Sequence, residues 1–351
     1  MKKNKINKKV VLLWILIIGM LVFCCIPPNV KDYNSKTKLN IISEYGDNEA
    51  YHPKVLSFEN KWNGYKYWMS YTPYPDGNGE LENPHVVASN NLIKWEKPDG
   101  LINPLDDISE DGETKKYDSD SHLVYNYDLD RLECYWRYVN DVDNEVIIYR
   151  RCTTDGVHFS EKEVFIKSDD RKNLDYVSPA IIYENGTYKM WYVDKRKVNY
   201  RETTDGTNWS EIQTLQIKYN PAKTYTWHID VIATKKGYEM IMVAYQDDNK
   251  RNIMNLYYTY SENEVKNWST AEIILKPTTK TKNWDNSGLY RSSFIYEDGV
   301  YIVFYSGIST KNDHGIGIVY GKDIKDLKSV DMNFKEKETT NDLIEIINKE
   351  K

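Results

Sequence analysis

Five times along this chain a short apolar strand is followed by a Tyr/Trp-rich strand and, in most cases, by a turn, always in that order. The aromatic strands read as residues 65–74 (YKYWMSYTPY), 132–141 (LECYWRYVND), 188–195 (YKMWYVDK), 238–247 (YEMIMVAYQD) and 301–308 (YIVFYSGI). The strands before them cover 52–58, 120–125, 178–183, 230–234 and 291–296. The turns are SNNLIKW (89–95), TTDGVHF (153–159), TTDGTNW (203–209) and SENEVKNW (261–268). A unit of about 50 to 65 residues built of short strands cannot bury its apolar face alone. Such units stack around an axis as the blades of a β-propeller. Five units therefore predict an all-β, five-bladed propeller over residues 41–330, with each innermost strand opening its first residues onto a central channel.

The ends of the chain are different. Residues 1–9 carry five lysines and no acid, and residues 10–26 are an almost uninterrupted apolar run that stops at Pro27-Pro28. A run of about 17 residues is just long enough to span a bilayer as a helix, and the lysines before it predict a cytosolic tip with the rest exported. Three fates compete: a cleaved signal peptide, a lipid-modified Cys24 or Cys25, and an uncleaved membrane anchor. The first lacks small residues at a cleavage site and the second has Phe23 before Cys24. We read the segment as an anchor, with the propeller at the cell membrane on the extracellular side. Residues 27–40 then form a polar stalk, although Leu39–Tyr45 has the pattern of a strand that completes the last blade. Residues 331–351 are a charged extension with a short helical pattern over 341–349.

Net charge is −6 for the whole chain and −11 without the five lysines of residues 1–9. An acidic ectodomain excludes nucleic acid held by bulk electrostatics. Cys134 and Cys152 flank one hairpin at similar distances from its turn, which leaves a disulfide and two free thiols equally open, because register cannot be read to one residue.

Alignment of the blades on their apolar strands places His52, Asp120, Ser178 and Arg291 at one equivalent position, with Trp227-His228-Ile229-Asp230 there in blade 4 at an ambiguous offset. A channel ringed by acids, histidines and an arginine is costly unless those charges meet partners or a ligand. Alternation along the strand sends Asp118 and Asp120 to one face; the competing reading is a turn-capping pair. Asp194, at the end of the third aromatic strand, and Glu82, before the third strand of blade 1, are placed near the channel mouth. Asp155 and Asp205 sit in Asp-Gly turns, where Asp caps the turn and Gly accepts positive φ. They are assigned to the rim, with the following aromatic packed back on its own blade.

The chain resembles the five-bladed glycoside hydrolases of families 43 and 32. The resemblance covers about Ile41 to Val330 and rests on blade number, on strand starts such as YHPKV (51–55) and VSPAI (177–181), and on the Asp-Gly-x-x-Trp turns, which are similar to sialidase Asp boxes. It implies an Asp opening blade 1, an Asp in blade 2 and a Glu in blade 3 as catalytic groups. Here those positions are His52, Asp120 and Ser178, so only the second matches. The resemblance also allows a calcium ion in the channel, but no ligand spacing in the sequence supports a metal or any other cofactor.

The leading expectation is a membrane-tethered glycosidase acting on a poly- or oligosaccharide. Its carboxylate pair would be Asp120 and Asp230, with Asp118 as modulator, since glycosidic hydrolysis needs two carboxyl groups in different protonation states. His52, Glu82, Asp194, Trp227, His228 and Arg291 would bind substrate or move protons. The second reading is a non-catalytic carbohydrate-binding propeller, and the third is a metal-dependent hydrolase or lyase that uses His52, His228 and nearby acids as ligands.

Overall fold

The computed structural model describes residues 34–35, 37–108, 115–246, 253–279, 282–330 and 341–349. The chain divides into two compact units, Met1–Asp32 and Tyr33–Lys351, and all described residues belong to the second. The apolar run, Cys24-Cys25 and the first part of the stalk lie outside them. Among the described residues no helix is long and apolar enough to cross a membrane.

The described residues form five sheets arranged as blades, antiparallel throughout except where the short strand Tyr219–Asn220 runs parallel to Ala271–Leu275 at the edge of the fourth. Their inner strands are Ala50–Trp62, Lys116–Asn126, Val177–Glu184, Tyr225–Thr234 and Gly288–Glu297. Each packs on the inner strands of its two neighbours, and the fifth returns to the first, so the sheets close a ring. The aromatic strand is second in every blade. Its β-branched and aromatic residues suit a pleated surface covered on both faces, and these strands supply Trp68, Trp136 and Trp191 as fully buried side chains.

The apolar interior is not one core but five, each between adjacent blades. The aromatic residues of the turns contribute to these layers by crossing to a neighbour. Trp209 of blade 3 stands edge-on to Phe165 of blade 2 at 5.0 Å, and Trp95 of blade 1 meets Phe304 of blade 5 at 6.1 Å. The expectation that the aromatic packs back on its own blade is corrected only in part: Trp209 lies under Arg201 of its own blade at 5.9 Å but also meets Phe165 across the blade interface. Asp155 and Asp205 do cap these turns, each accepting two backbone N–H groups at 2.7–2.9 Å.

Both chain ends take part in closing the ring. Ser35 and Leu39 bond to the carbonyls or amides of Ile318 and Ile316 along the third strand of blade 5, and Lys38 donates to the His314 carbonyl. This stretch, read as stalk from its composition, lies on blade 5 as an irregular edge rather than a strand. The helix Leu343–Lys349 buries Leu343, Ile344 and Ile347. Just before it, Asp342 binds Lys66 at 2.6 Å and Tyr67 at 2.8 Å in blade 1, while Lys66 also reaches Glu297 of blade 5 at 2.6 Å. Residues 341–349 are therefore a clasp across the seam.

Cys134 pairs in register with Arg151, and Cys152 with Glu133. Paired residues share a face and successive residues alternate, so the two thiols point to opposite sides of the sheet and stay free.

Candidate functional site

Each inner strand carries a bulge where it meets the channel. In blades 1, 2, 3 and 5 two residues face one on the partner strand: His52-Pro53, Asp120-Ser121, Ser178-Pro179 and Arg291-Ser292. In blade 4 the single extra residue is Trp227. His52, Asp120 and Ser178 adopt left-handed φ of 50°, 52° and 53°, a conformation that costs a non-glycine residue and is held only by its surroundings. Bulges re-aim side chains. The residue before each bulge (Tyr51, Ser119, Val177 and Tyr290) and Trp227 itself all line one cleft of about 810 Å³ at the channel mouth. His52, Asp120 and His228 form its floor, and Glu82 stands beside them.

Asp120 is the centre of the floor. Its Oδ2 accepts from the Ser178 amide at 2.9 Å. Its Oδ1 faces His228 Nδ1 at 3.4 Å, Arg291 Nε at 3.8 Å and His52 Nδ1 at 4.0 Å. One ligand atom each from His52, Asp120 and His228 lies within 4.8 Å of the others. Burial alone would raise the Asp120 carboxyl, but His228, Arg291 and His52 outweigh it and hold it well below the usual carboxylate range. Burial pushes His52 well below the usual imidazole range against the pull of Asp120, so this ring is neutral, with one nitrogen free to donate a lone pair and the other carrying the proton. Its buried Nε2 has no hydrogen-bond partner.

Glu82 approaches His52 Nδ1 at 3.2 Å. Burial, reinforced by the charge on Asp120, raises its carboxyl well above the ordinary value despite Arg137. The cleft thus sets two carboxyl groups, one shifted down and one shifted up, toward the same Nδ1 of one imidazole, the kind of environment by which neighbouring carboxyls take different roles.

The other expected site residues fall elsewhere. Asp118 is buried with neither oxygen hydrogen-bonded and does not line the cleft. The bulge after Ser119 breaks the alternation that was to place it beside Asp120. Burial and then Asp106 raise its carboxyl, against Lys162. Asp230 lies below the floor, bound to Lys54 Nζ at 2.7 Å, with its other oxygen facing the Phe294 amide at 3.3 Å. Arg291 is also beneath the cleft lining: it donates to Ser178 Oγ at 3.1 Å, to the Pro179 carbonyl at 3.3 Å and to the Ser121 carbonyl. Asp194 accepts from the Asp175 amide at 3.2 Å and borders a separate, smaller hollow with Asn173 and Lys197. Trp227 lines the cleft and donates to Tyr290 at 3.1 Å. Trp68 and Tyr71 are fully buried in blade interfaces.

Several lining residues escaped the sequence reading: Tyr51, Tyr74, Arg137, Arg171, Asp175 and His314. Tyr51 stacks between Tyr74 at 5.8 Å and Tyr290 at 5.2 Å. His314 stands edge-on to Tyr51 and Tyr74, and burial pushes it down to about 4. The signal that reaches Tyr51 and Tyr290 is position alone, one residue before the bulge. Arg137 and Tyr74 belong to aromatic segments that the repeat does locate, while Arg171, Asp175 and His314 arrive from a loop and a later strand whose paths it does not specify.

No protein-family model matches the chain. It is similar to the A type blood N-acetyl-alpha-D-galactosamine deacetylase of Flavonifractor plautii, 28% identical over 320 residues, or 76% of this chain and 41% of that protein. The chain thus spans about two-fifths of the length of that curated relative. Among solved structures it is similar to an N-acetylgalactosamine deacetylase from F. plautii in complex with blood group B trisaccharide (TM-score 0.72, 24% identity, 82% of this chain and 95% of that one). It also resembles a thermostable family-43 glycoside hydrolase (TM-score 0.57, 15% identity, 84% and 96%). A third likeness is to an exo-1,5-alpha-L-arabinanase from a bovine ruminal metagenomic library (TM-score 0.56, 12% identity, 78% and 93%). The fold is that of the five-bladed propellers to which family 43 enzymes and this deacetylase belong.

Proposed function

We propose that this protein is a metal-dependent hydrolase that removes the acetyl group from an N-acetylated sugar bound in the cleft. The observation that carries the reading is the convergence of the buried Oδ1 of Asp120 and the imidazoles of His52 and His228 on the cleft floor, with one ligand atom of each within 4.8 Å of the others. A neutral imidazole, an ionised carboxylate and a second imidazole are a donor set that suits a divalent cation of the zinc type. His52, Asp120 and His228 would hold it. When bound, such an ion polarises an acyl oxygen and eases deprotonation of water. The activity named for the F. plautii relative supports the choice of bond.

The remaining groups supply positioning and protons. Trp227 and Tyr290 offer ring faces to a sugar, held in place by their mutual hydrogen bond. Glu82 carries the proton that the departing amine needs. Water adds its hydroxide to the acyl carbon, the C–N bond breaks, the amine leaves with the proton from Glu82, and the proton released by water restores the acid. Hydrolysis of a glycosidic bond is the second reading, favoured by one observation: the carboxyls of Asp120 and Glu82 share one cleft and are shifted in opposite directions.

We place the enzyme outside the cell, held by residues 10–26, on the strength of the five lysines that precede this apolar run; protease treatment of intact cells would digest the propeller if so, and leave it whole if not. The deciding assay for the reaction incubates the full chain with an oligosaccharide ending in α-linked N-acetylgalactosamine, with and without a chelator. Chelator-sensitive acetate release is expected. Reducing sugar without acetate would replace this reading with a glycosidase, and binding without either product would leave a carbohydrate-recognition propeller.

A further inference from the structure

Glu82 reaches the site at the end of a loop that has little to hold it. Between Tyr74 and Glu82 the chain makes two short 3-10 turns, Pro75–Gly77 and Gly79–Leu81, and neither buries a residue. The loop therefore gains almost nothing from apolar burial, the term that fixes most of the fold. Its far end is different: Glu82 and Asn83 are buried at the cleft wall.

The tie is a residue of blade 5. Asn312 Nδ2 donates to the Asp76 carbonyl at 2.9 Å, and the Asn312 amide occupies the space that a side chain on Gly77 would need. Gly77 has φ +74°, so both its backbone conformation and its neighbour demand glycine. A second contact runs from the Asp76 amide to Glu49 at 3.0 Å. Asn312 sits on a firm platform. Ser309 Oγ accepts from the amides of Lys311 and Asp313 at 3.0 Å and donates to the Asp313 carboxylate at 2.9 Å. Asn312 itself has φ +70°, which asparagine tolerates better than other side chains. One partner is preorganised and the other is not. Both line the cleft.

We propose that Asn312 is a positioning residue: it latches the Tyr74–Glu82 loop of blade 1 to blade 5 and so sets Glu82 against His52. The consequence for turnover rests on the hydrolase reading above; the latch itself does not. Loss of the latch frees the loop, widens the cleft at the seam and removes the acid from its partner without disturbing any blade.

The test compares the full-length wild type with Asn312→Asp, which keeps the shape and the backbone preference but replaces the donor with an acceptor facing a carbonyl. Hydrogen exchange followed peptide by peptide should be about tenfold faster over 75–82 in the variant, the population shift that one net hydrogen bond is worth. Exchange over the blade strands and the thermal midpoint should stay unchanged. Acetate release should show a fall of about tenfold or more in kcat with little change in KM. Unchanged exchange over 75–82 overturns the latch, and faster exchange with unchanged kcat overturns the positioning role. If the wild type releases no acetate, the hydrolase reading falls, while the exchange measurement still decides the latch. A second pair guards against misfolding: Gly77→Ala should loosen the same loop, and adding Asn312→Gly should relieve the clash without restoring slow exchange.

Discussion

Lys54 Nζ meets Asp230 Oδ1 at 2.7 Å from blade 1 to blade 4, with the two side chains only 4% and 1% exposed. This pair ties two non-adjacent blades through the channel beneath the cleft floor. Removing one partner from a buried ion pair strands the other charge. Asp230→Ala should therefore lower stability by about 3–5 kcal/mol, and the double change Lys54→Met with Asp230→Leu should recover much of that loss. Denaturant unfolding measures both. An Asp230→Ala protein with wild-type stability and no turnover would return Asp230 to the chemistry, where the sequence had placed it.

Asp120 predicts the opposite pattern. Its Oδ2 accepts from the Ser178 amide, and an amide oxygen can take over that role in Asp120→Asn. The variant should fold, but it should lose the divalent cation and at least about 100-fold in acetate release, the scale expected for a lost metal ligand or its supporting shell. Elemental analysis and calorimetric titration with Zn²⁺ give the readout. A wild-type protein that binds no divalent cation and ignores chelators would remove the metal from the reading.

Asp118 offers a test by pH. Its carboxyl is raised above the ordinary value of 3.8, chiefly by burial. A raised carboxyl binds its proton more tightly in the folded state, so its contribution to stability is full below about 3.8 and is lost as the pH climbs through the folded-state value. Asp118→Asn has no such proton to keep. It should match the wild type in acid and exceed it by about 1–3 kcal/mol near neutrality, with turnover intact. A parallel stability–pH curve for the two proteins would show that Asp118 is ionised and partnered in solution.

The seam clasp should be sensitive to a single carboxylate. Asp342 binds Lys66 and Tyr67 together. Asp342→Ala should cost about 1–3 kcal/mol and should speed exchange in the helix Leu343–Lys349 before it affects blades 2 to 4. Uniform loosening of all five blades would mean that the helix is part of the global core and not a separate clasp.

The sequence alone determined the architecture, because the repeat of apolar strand, aromatic strand and turn is local, and five copies of it leave few ways to bury their faces. It also found Asp120, His52, His228, Trp227 and Glu82 as residues near the channel, and all five line the cleft. What it could not separate was Asp120 from Asp118 and Asp230. That choice was made by one extra residue in the strand, since a bulge at Asp120-Ser121 rotates a side chain toward the axis and defeats a period of two. Register decided Cys134 and Cys152 in the same way. Arg291 and Lys54 acquired their partners only when distant blades met in the channel, and Glu82 reached His52 only through the loop that Asn312 holds. Periodicity records which residues share a face; convergence of five strands on one axis, and the single-residue slips that aim them, exist only in the closed ring.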